Sequence, residues 1–442
     1  MTDVRRLALR LLEGWERDDT YLNLALNSPM TAGLSREERG FLTALLYGTV
    51  ERRITLDYLI GRVAARDKIA PRTRNILRLG FYQLFFMQNV PAHAAVDLTV
   101  SLGEGKGERG FVNGVLRSAH RRFSLPDGTF ALPFPPRERG LARYLSVTRS
   151  FPPDLVRHFL GLLGEEETEK LLDAFNRESP LTLAVNTLKN SREDLVARFA
   201  EAGIEARPTR YSPVGLTLVD PAPVTALPGF DEGLFFVQDE AAQLAVAILS
   251  PAPGSVVVDP CACPGGKSFA AAIGMGDGGT VYAFDLHDSK LPLISDGAAR
   301  LGLSSVKVAA RDGRDPDPSL FGKCGGVLCD VPCSGLGVLG KKPDLRYRAL
   351  DRAEELPPLQ AALLSASAGY LAPGGRLLYS TCTLNPKENR AVVEGFLTTA
   401  PAFRRVPFSV GGLDAPDGEI TLYPHLHGTD GFYYALIERV ST

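Results

Sequence analysis

From about residue 229 to its end, the chain alternates short apolar strand patterns with helical ones, and this alternation limits the possible folds more than any other feature. The predicted strands are Val256–Asp259, Val281–Asp285, Val306–Ala309, Val327–Asp330, Arg376–Thr381 and Tyr433–Ile437. Such alternation is typical of βαβ units, so we predict an α/β fold with a doubly wound parallel sheet. Ligands of these sheets bind beyond the carboxyl ends of the strands, where the strand order reverses. Polar residues at those strand ends are therefore candidates for a functional site.

The earlier part of the chain follows a different pattern. Apolar residues recur at helical spacing up to about residue 122, which predicts an all-helical domain over residues 1–125. Ser35 and Glu38 form the pattern of a capping box at the start of one helix. A proline-rich stretch predicts a linker over residues 126–143, and mixed strand and helix patterns predict a small α/β subdomain over residues 144–228. The sheet domain then covers residues 229–442.

Charge is distributed unevenly along the chain. Residues 1–123 carry 19 Lys and Arg against 13 Asp and Glu, although the whole chain has a net charge of −2. Seventeen of those cations are arginine, the side chain best suited to bidentate phosphate contacts and to stacking on bases. This favours a helical domain that faces nucleic acid, and a solvated helical surface is the alternative. Arg207, Arg210 and Tyr211 are further candidates for RNA contact or for an ordinary surface loop.

The sequence also restricts the compartment and the metal chemistry. No apolar run reaches the roughly 18 residues that a membrane span requires, and the first residues lack the apolar stretch of a secretion signal. We therefore expect a soluble, cytoplasmic protein without a membrane partner. All six cysteines lie beyond residue 260, a poor layout for a disulfide framework, so we expect reduced thiols. No His lies within the cysteine-rich segments, and no metal site is predicted.

A glycine-containing loop connects the strand that ends at Asp259 to a helix that begins near Ser268. The loop reads Cys261-Ala262-Cys263-Pro264-Gly265-Gly266-Lys267. Its two glycines let the backbone approach a ligand closely, and the helix N-terminus offers free N–H groups. A nucleotide triphosphatase would need Gly at position 261, and a nicotinamide-binding protein would need G-x-G-x-x-G, which is absent. The remaining candidate ligand is a methyl donor with a ribose and a sulfonium but no phosphates.

Two carboxylates follow the next two strands. Asp285 ends the second strand, and we expect it to accept hydrogen bonds from both ribose hydroxyls of the donor. Asp312 follows the third strand, and we expect it to accept a hydrogen bond from an adenine amino group. Their occurrence at successive strand ends strengthens the interpretation of this edge as a donor site.

Two cysteines stand just beyond the next strands. Cys333 follows the strand that ends at Asp330, and Cys382 follows the one after it. A thiolate that adds to C6 of cytosine makes C5 nucleophilic enough to accept a methyl group, so we expect one of the two to be the nucleophile. Asp330 is expected to hydrogen-bond the N3 and amino edge of the ring. The alternative, an ordinary buried thiol, is our interpretation of Cys324 and Cys329.

Several blocks of residues together resemble a known family. Those in the sheet domain are Cys261–Lys267, Asp330–Cys333, Lys342–Asp344, Ser380–Asn389 and Gly428–Ala435. They resemble the signature blocks of the Sun/Fmu family of S-adenosylmethionine-dependent RNA cytosine-5 methyltransferases. Four helical blocks, at Leu46–Val50, Leu79–Leu84, Pro91–Val96 and Phe111–Arg117, are similar to the NusB-like RNA-binding domain of that family's bacterial 16S ribosomal RNA member.

The resemblance implies a Rossmann-like methyltransferase sheet preceded by a NusB-like helical domain, and it implies separate roles for the two thiols. By motif position, Cys382 attacks C6 and Cys333 is needed to release the methylated RNA. S-adenosyl-L-methionine would be held by the segment Cys261–Lys267 together with Asp285, Asp312 and Asp330. Pro260 and Cys263 stand where the family usually has alanine, but the glycine pair is retained.

These observations predict an enzyme that methylates C5 of one cytosine in 16S ribosomal RNA. We expect its substrate to be protein-free or early-assembly ribosomal RNA, because the target base must be unstacked to present C5 and C6. We expect the protein to be a monomer. Two alternatives are the same chemistry on another ribosomal or transfer RNA, and a non-catalytic RNA-binding or antitermination factor.

Overall fold

The computed structural model describes residues 3–18, 21–26, 28–65, 68–219, 223–348, 350 and 353–441. The chain divides into two compact units. The helical unit contains Met1–Arg177 and Leu339–Arg348, and the sheet unit contains Glu178–Val338 and Ala349–Thr442.

The helical unit has ten α-helices within the residues just given. They are α1 (Val4–Asp18), α2 (Leu22–Leu26), α3 (Arg36–Glu51), α4 (Arg53–Val63), α5 (Pro71–Phe86), α6 (Ala92–Val100), α7 (Gly105–Phe123), α8 (Leu141–Arg149), α9 (Pro153–Leu163) and α10 (Glu165–Phe175). The predicted capping box is confirmed at the start of α3, where the Ser35 and Glu38 side chains each accept the other's backbone N–H. No helix of the described chain is long and apolar enough to cross a bilayer.

The segment Leu339–Arg348 belongs to the helical unit, although the chain reaches it from the sheet unit. Its Arg346 is 2% exposed, and besides the carbonyl of Leu339 in its own segment it donates hydrogen bonds to three backbone oxygens of the helices. These belong to Glu51 at 3.3 Å, Ser150 at 3.5 Å and Phe175 at 3.2 Å. These carbonyls lie at the C-terminal ends of α3, α8 and α10. A cation is favourable there because the helix dipole is negative and the last carbonyls have no partner within the helix.

A small antiparallel sheet begins the sheet unit. Its strands are β1 (Leu181–Val185), β2 (Ala206–Pro208), β3 (Gly215–Leu218) and β4 (Phe235–Val237), in the order β2-β3-β1-β4. Helix α11 (Arg192–Glu201) begins at a second capping box, formed by Ser191 and Asp194. Leu195 and Phe199 of this helix are fully buried with the inner residues of the small sheet, so the helix covers one face of it.

The large sheet carries the alternating pattern of the sequence. Its strands are β5 (Val256–Asp259), β6 (Thr280–Asp285), β7 (Val306–Ala310), β8 (Cys324–Asp330), β9 (Leu371–Thr381), β10 (Phe403–Arg405), β13 (Glu419–Leu422) and β14 (Phe432–Arg439). Two further strands, β11 (Phe408–Val410) and β12 (Leu413–Ala415), form a separate two-stranded sheet. The order is β10-β14-β9-β8-β5-β6-β7, with β13 paired to β14. The strands from β7 through β9 are parallel, and the order reverses between β5 and β8. The predicted doubly wound sheet is confirmed, and its switch point lies beside Asp259 and Asp330.

Helices cover both faces of this sheet. The helices are α12 (Glu240–Leu249), α13 (Gly266–Gly274), α14 (Leu291–Leu301), α15 (Leu356–Ala368), α16 (Arg390–Thr399) and α17 (Pro424–His427). Successive residues of one strand enter opposite cores: Val257 packs with α12, α13 and α14, whereas Val258 packs with α15 and α16. This follows from the two-residue period of a strand, and it explains why the central strands are apolar on both faces.

The last strand differs from the predicted parallel arrangement. Strand β14 runs antiparallel to β9, with Tyr434 opposite Ser380, and it also pairs with β13. Parallel neighbours require a crossover connection, usually a helix, whereas antiparallel neighbours accept short ones. The connection between β13 and β14 is short and contains only the four-residue helix α17, so β14 runs antiparallel to β13.

The division of the chain falls at Arg177, inside the segment 144–228 that the sequence pattern treats as one subdomain. Helix α8 belongs with the earlier helices, since the Thr55 hydroxyl donates to the Val147 carbonyl at 2.6 Å. Strand β4, beyond residue 228, completes the small sheet. The domain boundaries at residues 125, 143 and 228 stay a prediction.

Candidate active site

The loop between β5 and α13 is shaped for close approach of a ligand to its backbone. Gly265 has φ +108°, and a Cβ there would lie 2.4 Å from the Phe269 ring. A Cβ on Gly266 would lie 3.2 Å from the Gln238 side chain. Gly265 therefore has no room for a side chain and lies in the left-handed backbone region that favours glycine, while a side chain on Gly266 would press on Gln238. Helix α13 begins at Gly266, so its free N–H groups face the edge of the sheet where β5 ends.

The two carboxylates assigned to the donor have different surroundings. Asp285 is 9% exposed and accepts backbone N–H groups from Cys263 at 3.2 Å and His287 at 3.0 Å, which ties β6 to the glycine loop. Asp312 instead pairs with Arg314, at 2.6 Å between carboxylate and guanidinium. That guanidinium lowers the pKa of Asp312 to about 2. The structure thus joins Asp285 to the loop, whereas Asp312 bonds only within its own turn among the described residues.

A third carboxylate, Asp259, lies at the switch point, and the sequence argument gave it no role. It is 1% exposed, and one of its oxygens accepts the Ser268 hydroxyl at 2.7 Å while the other has no partner in the described chain. Burial, reinforced by the negative charge of Asp330, raises the pKa of Asp259 to about 7 although the Ser268 hydrogen bond opposes the shift. A buried aspartate at a strand end has no distinct sequence signal, because surface aspartates end strands just as often.

The two cysteines meet because β8 and β9 are parallel neighbours. Asp330 lies opposite Ser380 in the register, so the residues that follow both strands emerge at the same edge. The sulfur atoms of Cys333 and Cys382 are 3.1 Å apart. The backbone carbonyl of Cys382 also accepts the Gly337 N–H at 2.9 Å, which holds the two loops together. The structure therefore brings the two predicted thiols into direct contact.

This contact distinguishes the thiols electrostatically. The hydrogen bond with Cys382, together with burial, raises the pKa of the Cys333 thiol well above its ordinary value. When one proton is shared by two adjacent thiols, the first ionisation produces one thiolate and leaves the other sulfur protonated. Cys333 therefore holds its proton more tightly than an isolated thiol would.

A partly buried ion pair lies beside the thiols. The Lys267 ammonium is 2.8 Å from one Asp330 oxygen, and Ser380 donates to the other at 2.6 Å. Burial lowers the pKa of Lys267, but Asp330, then Asp259 and Cys382, outweigh it, so the pKa is raised and the ammonium persists. Its nitrogen also lies 5.3 Å above the Phe432 ring. Lys267, expected from sequence to help hold the donor, is thus paired with Asp330 in this structure, and its role toward the donor stays a prediction.

The other four cysteines lie apart from this pair, and burial raises the pKa of each of them. Cys324 and Cys329 are fully buried, and burial raises their pKa values to about 11 and about 12. Burial also raises the pKa of Cys261 well above its ordinary value. The Cys263 sulfur is near the Lys290 carbonyl, at 4.0 Å. All six cysteines are free thiols.

A fifth acid, Glu388, is fully buried behind the two cysteine loops and was also missed as a site residue. It lies in the block Ser380–Asn389, whose motif resemblance marked the segment but not the role of this side chain. Its hydrogen bonds reach residues on both loops. Only the tertiary structure reveals this position, because its partners lie up to 54 residues away in sequence.

Three family models match the chain, and together they cover most of it. The model of the 16S rRNA methyltransferase RsmB/F matches residues 246–438, the NusB family model matches residues 2–121, and the model of the ferredoxin-like domain of RsmF/B-like methyltransferases matches residues 151–225. The matches fall on the large sheet, on the first seven helices, and on the segment that contains three of the four strands of the small sheet. The resemblance stated from the motifs is confirmed.

Whole-length relatives carry consistent names. A Synechocystis protein named probable ribosomal RNA small subunit methyltransferase B is 38% identical over 99% of this chain and 100% of its own length. The Bacillus subtilis protein of the same name is 33% identical over 99% of each chain, and the Pseudomonas putida ribosomal RNA small subunit methyltransferase B is 35% identical over 94% of this chain and 95% of its own.

Solved structures are similar as well. The crystal structure of PH0851 superimposes with a TM-score of 0.80 at 27% identity, over 99% of this chain and 98% of that one. NSun6 from Pyrococcus horikoshii, solved with SFG, superimposes with a TM-score of 0.59 at 24% identity, over 68% of this chain and 100% of that one, which indicates a shared fold.

Proposed function

We propose that this chain, which belongs to the RsmB/F family of 16S rRNA methyltransferases, transfers a methyl group from S-adenosylmethionine to C5 of a cytosine in 16S ribosomal RNA. The observation that carries the proposal is the 3.1 Å contact between Cys333 and Cys382 beside the glycine loop. Cytosine C5 needs a nucleophile at C6 before it can accept a methyl group, and a thiolate supplies it. A methyltransferase acting on an amine or a hydroxyl would not need this pair.

The family depends on S-adenosylmethionine, which supplies an electrophilic methyl group on a sulfonium. The residues present fit this donor. Gly265 and Gly266 leave the backbone of the loop uncovered, and the carboxylate of Asp285 is anchored by two N–H groups while keeping acceptor capacity for ribose hydroxyls. Asp312 would contact the adenine only after it exchanges its bond with Arg314.

The attack step uses three side chains. Cys382, as the thiolate, forms a bond to C6 of the cytosine, and the Lys267 ammonium offsets the negative charge of this sulfur before attack. Asp330, fixed by Lys267 and Ser380, directs its remaining acceptor capacity toward the amino edge of the base. This arrangement fixes the charges in advance, which is the largest contribution that a site of this kind makes to catalysis.

The release step falls to Cys333. After the methyl group is on C5, the C5 proton leaves and the bond between C6 and Cys382 breaks. Cys333 is in contact with that sulfur and holds its own proton at neutral pH, because its pKa is raised by the contact and by burial. It can therefore give its proton to the departing Cys382 sulfur, and the Cys333 thiolate that results can accept the proton that leaves C5 while the C–H electron pair restores the C5–C6 double bond.

The proposed substrate is supported by the names of the relatives and by the charge of the helical domain. The relatives named above are small-subunit ribosomal RNA methyltransferases, and the NusB-like helices carry the arginine excess. We propose protein-free or early-assembly 16S ribosomal RNA as the substrate, in the cytoplasm, with the enzyme acting as a monomer. A non-catalytic RNA-binding factor would have no use for the paired thiols and the Lys267–Asp330 ion pair.

Substitution of the two cysteines tests the proposal. With tritium-labelled S-adenosylmethionine and protein-free 16S ribosomal RNA, Cys382→Ala is expected to abolish methyl transfer and to form no covalent complex. Cys333→Ala is expected to accumulate RNA attached through Cys382, visible as a slow band in a denaturing gel. Cys324→Ala, a buried thiol away from the pocket, is the matched control and should stay active. The opposite pattern for Cys333 and Cys382 would reverse their roles, and bisulfite sequencing of the product RNA would identify the base.

A further inference from the structure

Glu388 is a buried carboxylate surrounded by hydrogen-bond donors. It is fully buried, and none of the described lysines and arginines lies within ion-pair distance of it. Its two oxygens accept from the Ser334 N–H at 2.8 Å, the Ser334 hydroxyl at 2.5 Å, the Gln360 amide at 3.0 Å, the Asn385 amide at 3.1 Å and the Thr383 hydroxyl at 3.4 Å. A buried charge is costly unless it is paired or fully hydrogen-bonded. The parts of the chain that supply these donors therefore indicate what the carboxylate does.

One set of these donors belongs to the Cys333 loop. Ser334 follows Cys333 directly, and Glu388 accepts both its N–H and its hydroxyl. The Gln360 amide that binds Glu388 also donates to the carbonyl of Pro332 at 3.0 Å, just before the cysteine. The backbone on both sides of Cys333 is therefore fixed with respect to one carboxylate.

A second set belongs to the Cys382 loop. Thr383 follows Cys382, and its hydroxyl is 2.7 Å from the Ser334 hydroxyl, so the two loops are joined next to their cysteines. Asn389, adjacent to Glu388, accepts from the Thr381 hydroxyl at 2.5 Å and donates to the Thr383 carbonyl at 2.9 Å. Cys382 is thus held on both sides by residues 388 and 389.

The charge of Glu388 also acts on the thiols. The groups that titrate near Cys333 are Cys382, Glu388 and the Tyr379 phenol, whose hydroxyl donates to the Glu388 carbonyl at 2.6 Å. The pKa of Cys333 is raised first by the hydrogen bond with Cys382, then by burial and the charge of Cys382, and further by the negative charge of Glu388.

We infer that Glu388 is a positioning residue that fixes the two cysteine loops against each other and uses its charge to keep the proton of the pair on Cys333. Because the carboxylate touches the loops and not the reacting atoms, it acts through the cysteines. The kinetic part of this inference rests on the proposed function. The thiol part concerns the free enzyme and stands independently of any RNA.

Glu388→Gln is the central variant because it keeps the size of the side chain and removes the charge. An amide has one acceptor oxygen, and its NH2 group would face donors from Ser334, Gln360 or Asn385. The cysteine loops should then separate, and misplacement of reacting groups by about 1 Å lowers a rate by about 100-fold. We expect kcat to fall by about that factor, with KM for S-adenosylmethionine within about twofold because the donor residues are untouched. Glu394→Gln, an exposed glutamate of α16 paired with Arg390, is the matched control and should leave kcat unchanged.

Thiol titration separates positioning from general destabilisation. Cys333 and Cys382 are alkylated with iodoacetamide over a pH series without RNA, and each site is quantified by mass spectrometry. In Glu388→Gln, Cys333 should become reactive at lower pH than in the wild type. In Glu388→Asp, which keeps the charge but shortens the reach, the Cys333 profile should stay close to wild type while kcat still falls. Equal shifts in both variants would overturn the electrostatic role, and a Glu388→Gln enzyme with wild-type kcat and alkylation profile would overturn the whole inference.

Ser334→Ala keeps the test decisive if Glu388→Gln does not fold. It removes one hydroxyl donor and the link to Thr383, and leaves the Ser334 N–H bond to Glu388 in place. We expect kcat to fall by about 10-fold with KM for the donor unchanged. Full activity in a folded Ser334→Ala enzyme would overturn the positioning role. If wild-type protein showed no methyl transfer to any 16S ribosomal RNA, the proposed function would fail while the alkylation profiles would still decide the inference.

Discussion

Individual carboxylates in this site differ because each has a different set of donors. Asp330 is paired with an ammonium, Glu388 is surrounded by five neutral donors, and Asp259 has one donor and an unpartnered oxygen. Burial is the main cause that raises the pKa of Asp259 to about 7. The donors around a carboxylate and its burial therefore decide how it is stabilised in the folded protein.

The stability of the protein should depend on pH through Asp259. Its folded pKa of about 7 lies above the ordinary 3.8, so the protonated form is favoured on folding. This stabilisation is present below about pH 4 and is lost as the pH rises through about 7. Asp259→Asn is neutral throughout, so the free energy of unfolding of this variant should rise relative to that of the wild type between about pH 4 and pH 7, by up to about 4 kcal/mol. Thermal unfolding of both ligand-free proteins across this range measures it, and parallel curves would contradict the pKa shift.

At the scale of elements, the carboxyl edge of the large sheet collects the chemistry. The register of β8 with β9 places Asp330 opposite Ser380 and brings the two cysteine loops together, while β5 delivers the glycine loop at the switch point. The same loop after β8 continues into Leu339–Arg348, which leaves the sheet unit and packs in the helical unit. The connection after β8 thus carries Cys333 in the sheet unit and, further along, a segment of the helical unit.

Arg346 should be essential to the helical unit. Its guanidinium satisfies carbonyls at the ends of three helices, and Arg346→Met would leave these buried oxygens unpaired. We expect a loss of about 2–4 kcal/mol in the free energy of unfolding of this unit. Arg117→Met, which removes an exposed arginine paired with an exposed Asp97, is the control and should cost less than about 1 kcal/mol. Denaturant unfolding compares the two variants, and equal losses would show that the helix ends do not need Arg346.

At the scale of the whole molecule, RNA affinity should come from the arginine-rich helices. Deletion of residues 1–123 is a poor test, since the Ser150 hydroxyl accepts the Ile54 N–H and Thr55 donates to Val147 within one unit. Substitution of exposed arginines leaves that packing intact. Arg121 and Arg122 are exposed in the last turn of α7, at the end of the last NusB-like helix.

Changing Arg121 and Arg122 to Gln together should weaken 16S ribosomal RNA binding and flatten its dependence on salt. Each lost phosphate contact to single-stranded RNA lowers the slope of log K against log salt by about 0.7. Changing Arg17 and Arg157 to Gln, two exposed arginines paired with neighbouring aspartates, removes the same charge and is the control. Filter binding at several salt concentrations measures both slopes, and equal slopes in the two double variants would remove the special role of α7.

Much of this molecule follows from local patterns. Periods of two and of 3.6 residues predict the strands and helices, because burial of one face requires them, and the capping box at Ser35 follows from side-chain chemistry within one turn. The glycine pair and the positions of Asp285, Asp330, Cys333 and Cys382 also follow from strand ends read along the chain. Such features need only a residue and its near neighbours.

Tertiary structure alone decided the rest, because the relevant contacts join residues that are far apart in sequence. Four features depend on which strands become neighbours: the antiparallel direction of β14, the ion pair of Lys267 with Asp330, the burial of Asp259 and the donors around Glu388. A pKa or a hydrogen-bond network is set by everything that surrounds a group in space. The order of residues determined which chemical groups were available at the sheet edge, and folding determined which of them carry charge and touch one another.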